Sequence, residues 1–240
     1  MFKLNIYEAL NLRENEVISF IGGGGKTTTM FQLASELKSM NRKVLVTTTT
    51  AIFDPHRGQY DHYFLKNIGN FAPENGTITV FGDRVENGKL LGTSPLIVEY
   101  IARKGLFQFI LIEADGSKGK PIKAYADYEP VIPETTTMTI GIIGLDCLGK
   151  SIIDIAHRPE ILADITGTSL NYVIDEEMIV RLILHERGLF KDSRGRRVLF
   201  LNKASYRSLI DRGRNIRNRL AEEGFQGIAL VGDIINNKFY

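Results

Sequence analysis

The sequence predicts an α/β fold: a doubly wound, mainly parallel sheet in a three-layer α/β/α arrangement. Three observations carry that expectation. Short apolar runs without polar alternation recur along the chain, as strands buried on both faces require. Segments with apolar residues at helical spacing lie between them. No internal repeat, low-complexity tract or long Pro/Gly/Ser linker divides the 240 residues, so a single domain over 1–240 is expected, with a small hairpin elaboration around 55–95.

In order, Ile6, Ala9 and Leu10 share a helical spacing and predict a short lead-in helix. Residues 17–21 form the first strand, broken by four glycines. The next helix carries Met30, Leu33, Ala34, Leu37 and Met40 on one stripe facing the sheet. A second strand covers 43–48. Residues 51–76, rich in His, Tyr, Phe and Asn, read as irregular. An extended segment follows at 77–81, and Asn87-Gly88 marks a hairpin turn. Pro95 opens a helix that runs to Arg103. Four further apolar runs, at 107–114, 138–143, 197–202 and 227–231, complete the sheet, with helices at 175–187 and 205–223. Ligands of such sheets sit beyond the carboxyl ends of the strands, so functional residues are expected after 21, 48, 114, 143 and 202.

Composition removes several classes of function. Thirty basic against 28 acidic residues leave a net charge of +2, so no polyanionic partner is demanded and nucleic acid is not expected. The arginines of the 205–223 helix (207, 212, 214, 217 and 219) mostly oppose Leu209, Ile210, Ile216 and Leu220, as a solvated face would. A lone cysteine, Cys147, excludes an internal disulfide and a cysteine-rich zinc site, and fits a small buried hydrophobe better than a nucleophile. No apolar run approaches the roughly 18 residues of a membrane span. Residues 1–16 carry early acidic groups and no long apolar core, unlike a signal peptide, so a cytoplasmic setting is expected.

The most informative segment is Gly22-Gly23-Gly24-Gly25-Lys26-Thr27-Thr28 between the first strand and its helix. Glycines let backbone N–H groups converge on phosphate oxygens, and the helix adds the positive end of its dipole. Lys26 can reach the β- and γ-phosphates, and the Thr27 hydroxyl can ligate Mg²⁺. The full P-loop pattern would need glycine at position 20, which is Phe20; what fits is the shorter Gly22-x-x-Gly25-Lys26-Thr27. A tight strand-to-helix turn alone would need only one or two glycines. A P-loop NTPase-like site for ATP or GTP with Mg²⁺ is therefore expected, with Gly22 to Thr28 holding the nucleotide.

At the end of the 107–114 run stands Glu113-Ala114-Asp115-Gly116. Side chains two apart on a strand point the same way, so both acids can face the phosphate loop and order a metal or an attacking water. Lys26, Glu113 and Asp115 are the expected catalytic residues, and Thr27 and Asp115 the expected metal contacts. Gly116 resembles the glycine of switch NTPases. Lys118, Lys120 and Lys123 suit a solvated loop, though any could meet a phosphate or an anionic substrate. The hydroxyls of Thr47 to Thr50 suit a metal or water site as well as a β-favouring run. Residues 141–149 read as a mobile sensor loop. His157-Arg158-Pro159-Glu160 could bind substrate or γ-phosphate, or staple a loop. Asn202-Lys203-Ala204-Ser205 resembles the Asn-Lys-x-Asp element of GTPases with serine in place of aspartate; Asn202 and Lys203 could pack around a base without selecting guanine.

Together the segments 21–29, 46–50, 113–123, 129–133, 144–146, 157–160 and 201–203 resemble the YqeC family of selenium-dependent hydroxylase accessory proteins, also called selenium cofactor biosynthesis proteins. The likeness runs over nearly the whole chain, and Glu-Ala-Asp-Gly followed by Glu129-Pro-Val-Ile-Pro133 is its distinctive part. Tyr125 departs from the proline expected in the Lys-Ala-Pro-Ala stretch. The resemblance implies a P-loop protein working with selenium-dependent molybdenum hydroxylases or their cofactor machinery, a setting compatible with a homodimer. The loop also resembles the ATP site of Mur-type ligases, whose extra domains are missing here. A phosphoryl-transfer enzyme and a non-catalytic nucleotide-gated module are the alternatives.

Overall fold

The computed structural model describes residues 5–240; the first four residues of the 1–16 stretch considered above as a leader lie outside it. Nine strands form one sheet. From edge to edge the order is Lys238–Phe239, Ile228–Asp233, Arg196–Asn202, Met138–Gly144, Glu16–Gly22, Phe109–Glu113, Lys43–Thr48, Thr77–Gly82 and His62–Leu65. Only Lys238–Phe239 runs antiparallel to its neighbour. The doubly wound α/β expectation holds.

Period-2 alternation divides the apolar strands between two faces. Ile18, Phe20, Val44, Val46 and Leu111 pack against Met30, Leu33, Ala34 and Leu37 of the Lys26–Ser39 helix. On the opposite face Ile143, Leu199 and Leu201 meet Met178 and Leu182 of Glu176–Leu184, and Leu209, Ile216 and Leu220 of Arg207–Glu222. Leu45, Ile110 and Ile112 meet Val98 and Ile101 of Pro95–Arg103. Burial on both faces explains why Met138–Gly144 and Phe109–Glu113 show no polar alternation. Strand addition reverses direction between Glu16–Gly22 and Met138–Gly144. That switch point is where an open α/β sheet leaves a crevice at its carboxyl edge.

Four details correct the sequence reading. His62–Leu65, inside the stretch read as irregular, is the parallel edge strand of the main sheet. It is half-exposed, so no apolar run announces it. Thr77–Gly82 likewise belongs to the main sheet, buried on both faces, which leaves a narrower elaboration than 55–95. This is a three-stranded antiparallel sheet of Ala51–Phe53, Lys89–Leu91 and Val85–Glu86. Its turn does fall at Asn87 and Gly88, both with positive φ (50° and 70°). Residues 141–144, read as a mobile loop, complete the Met138–Gly144 strand, and Leu145–Cys147 forms one 3₁₀ turn. Finally, Pro159–Thr166 is a helix with proline in its first turn and Gly167 (φ 63°) at its end.

Candidate functional site

The glycine run sits at the switch point, wedged between backbones. A Cβ on Gly24, whose φ is 79°, would collide with the Gly144 backbone, and one on Gly23 would lie 2.6 Å from the Lys120 carbonyl. These contacts are made by hydrogen bonds. Gly22 N–H donates to Asp115 Oδ2 (2.7 Å), Gly23 N–H to the Ile142 carbonyl (2.8 Å) and Gly24 N–H to the Lys120 carbonyl (3.1 Å). Three amides expected to face phosphate are therefore spent on the protein. The donors that remain belong to Gly25 and to the first turn of the Lys26–Ser39 helix, whose leading N–H groups have no acceptor within the helix and no side-chain cap. Gly25 and Thr27 are half-buried and Thr28 is exposed, so this edge faces outward.

Lys26 turns inward. Its ammonium donates to the Gly22 carbonyl (2.8 Å) and lies 2.9 Å from Asp115 Oδ1 and 3.5 Å from Glu113 Oε1, with the side chain 2% exposed. Burial works against its charge, but Asp115 and then Glu113 outweigh burial and hold its pKa above the ordinary lysine value. Burial raises the Glu113 carboxyl above the usual carboxylate range, against the opposing pull of Lys26 and of the Thr27 hydrogen bond. The Thr27 hydroxyl donates to Glu113 Oε2 at 2.6 Å. Lys26, Thr27, Glu113 and Asp115, from two separate segments, thus form one cluster. Asp115 is wholly buried, one oxygen on Gly22 and the other on Lys26.

Asn202 joins from a third strand. Its Nδ2 donates to the Gly24 carbonyl (2.9 Å) and its Oδ1 accepts from Ile234 N–H (3.1 Å), so both ends of the amide fix backbone beneath the loop. Lys203 points elsewhere, to Asp146 Oδ2 at 2.8 Å, on a backbone with φ of 64°. The threonine run is structural: Thr47, Thr48 and Thr49 donate to the carbonyls of Phe81, Glu113 and Val131. Cys147 is fully buried, and burial pushes its thiol up to about 12.

Sequence reasoning missed a second layer of charge. Lys123 is not solvated; its side chain is completely buried, 3.2 Å from Glu129 Oε2, 3.7 Å from Asp115 Oδ2 and 2.6 Å from the Gly116 carbonyl. Burial drives its pKa below the ordinary lysine value, although Asp115 and Glu129 oppose this. Glu129 also holds Arg158 at 3.1 Å. The signal was available in part: Pro121-Ile122-Lys123-Ala124 embeds one lysine in an apolar stretch, and Tyr125, which follows, is buried with its hydroxyl on the Leu189 carbonyl (3.1 Å). Among the described residues no three His, Cys, Asp or Glu side chains form a group able to hold a metal, and no helix is long and apolar enough to cross a membrane.

A family model described as YqeC protein matches residues 18–160, more than half of the chain and every residue of this cluster except Asn202 and Lys203. The chain belongs to the YqeC family. It is also 34% identical over 196 residues to a protein of Escherichia coli (strain K12) described as uncharacterized protein YqeC, an alignment covering 79% of this chain and 76% of the relative. No solved structure matches it. Family membership thus agrees with the resemblance drawn from the 113–123 and 129–133 segments.

Proposed function

We propose that the protein is a Mg²⁺-dependent ATP- or GTP-binding and hydrolysing accessory factor in the maturation of selenium-dependent molybdenum hydroxylases or in selenium cofactor biosynthesis. The observation that carries the nucleotide reading is the Thr27 hydroxyl 2.6 Å from Glu113 Oε2 at the start of the Lys26–Ser39 helix, with Lys26 between Glu113 and Asp115. One hydroxyl and one carboxylate are the protein oxygens that Mg²⁺ takes when phosphates and waters complete its shell. The residues present fit the group. Glu113 is better placed than the wholly buried Asp115 to meet a metal, and Asp115 is assigned to holding Gly22 and Lys26 in position. The amides of Gly25 and residues 26–28 supply donors at the positive end of a helix dipole, and Lys26, now turned inward onto Asp115 and Glu113, supplies a cation by swinging from them to the phosphates. Mg²⁺, when bound, neutralises phosphate charge. The role of Asn202 is to fix the loop through Gly24, while Lys203 is held away from it by Asp146.

The selenium setting rests on the family resemblance. Thermal melting of the protein with ATP or GTP, with and without Mg²⁺, tests the nucleotide reading. A ligand at a hundred times its Kd adds about 2.7 kcal/mol to apparent stability, so a clear Mg²⁺-dependent rise in Tm is expected. No rise with either nucleotide would contradict it.

A further inference from the structure

We propose that Lys123 is a positioning residue for the nucleotide reaction: its buried ammonium takes over Asp115 when Lys26 leaves that carboxylate for the phosphates. The inference deepens the nucleotide reading and rests on it, although the exchange of cations itself can be tested without nucleotide.

Two lysines from separate segments share one carboxylate. Lys26, at the head of the Lys26–Ser39 helix, lies 2.9 Å from Asp115 Oδ1, and Lys123, on the short Ile122–Lys123 strand, lies 3.7 Å from Oδ2. Apart from the Lys26 ion pair, Oδ1 has no partner among the described residues, whereas Oδ2 also accepts from Gly22 N–H. All three side chains are shut away from water, so no solvent stands ready for a carboxylate left alone.

Lys26 cannot serve the phosphates and these acids at once. Glu113 keeps the Thr27 hydroxyl (2.6 Å) when Lys26 withdraws, and has its counter-charge in the Mg²⁺ proposed above. Asp115 keeps only Lys123. A buried charge without a partner is strongly destabilising, and that cost would be subtracted from the affinity for every nucleotide bound.

The surroundings of Lys123 suit the exchange. A close ammonium–carboxylate contact is about 2.8 Å, so roughly 1 Å of movement completes the pair with Asp115. The Gly116 carbonyl, 2.6 Å from the ammonium and one residue beyond Asp115, holds it on that side, and the Tyr125 ring lies 4.8 Å away. Glu129, which Lys123 now meets at 3.2 Å, is not stranded by the move, because Arg158 holds the same Oε2 at 3.1 Å. Withdrawal of Lys26 thus leaves two carboxylates, Asp115 and Glu129, facing two cations, Lys123 and Arg158.

Denaturant unfolding of Lys26→Met, Lys123→Met and the double variant tests the exchange without nucleotide. Each single change leaves Asp115 one cation, so the double variant should lose more than the two single losses added, or fail to fold; additive losses would overturn the proposal. Calorimetry with Mg²⁺ and non-hydrolysable ATP or GTP analogues gives the second reading. Lys123→Met should weaken binding by about a hundredfold, the scale of stranding a buried charge. In an Asp115→Asn background, where no charge needs taking over, the same change should cost less than about threefold. Equal weakening in both backgrounds would make Lys123 a remote positive charge only, and no weakening in either would also overturn the proposal. Wild-type protein that binds neither analogue would sink the nucleotide reading instead, and the unfolding cycle would still decide the exchange. Should circular dichroism show Lys123→Met unfolded, Glu129→Gln decides. It frees Lys123 toward Asp115, loosens Lys26 and should tighten analogue binding by about threefold, the scale of a weak ion pair, and unchanged or weaker binding would contradict the proposal.

Discussion

Two sets of ion pairs in this protein look alike on paper and differ in what surrounds them. Beneath the glycine run, Lys26–Asp115 and Lys123–Glu129 are shut away from water, with all four side chains at 10% exposure or less. Between the last two long helices, Arg212–Glu176 and Arg219–Glu177 stand at the surface, a quarter to two-fifths exposed. Water and salt already satisfy the second set, so its pairing changes little. The first set has forfeited hydration and depends on its partners entirely. A chain that holds two cations and three carboxylates in its interior, with Arg158 at their margin, carries a cost that apolar side chains would avoid, and it does so at the carboxyl edge of its sheet. The surface pairs decorate the fold; the buried ones define the site.

Substitutions separate the two sets. Asp115→Ala strips Lys26 and Lys123 of a partner and leaves Gly22 N–H without an acceptor; a loss of about 3–5 kcal/mol is expected in chemical denaturation, the cost of breaking a buried pair. Gly24→Ala forces a Cβ into the Gly144 backbone at a φ of 79° and should cost roughly 1–3 kcal/mol by the same measurement. Glu176→Ala removes a two-point contact to Arg212 (2.6 and 2.8 Å), yet its effect should stay below about 1 kcal/mol and shrink as salt is added. Equal losses for Asp115→Ala and Glu176→Ala would erase the distinction.

What was legible in the sequence follows from how local each signal is. The glycine run, its helix and the strand ending in Glu113 were readable because each is a contiguous stretch with one period. Asp115 was readable for the same reason, as the second acid after an apolar run. The partners of Lys123 were not, because Glu129 and Arg158 come from separate loops and meet it only in the folded chain. The free amides were misplaced for a related reason. Glycines imply close approach, and here the approaching groups at Gly22, Gly23 and Gly24 are Asp115, Ile142 and Lys120. His62–Leu65 escaped notice because an edge strand that is half in water needs no apolar run. The Pro159–Thr166 helix is signalled by Pro159 at its start and Gly167 at its end.

The central claim is that the outward edge of the glycine run holds a triphosphate. Backbone amide resonances of Gly25, Lys26, Thr27 and Thr28, followed while Mg²⁺ with ATP or GTP is added, test it most directly. Shifts should concentrate on these four amides and on the Glu113 segment, and Lys26→Gln should abolish them at the same nucleotide concentration. No shift with either nucleotide, or shifts centred away from this edge, would contradict it.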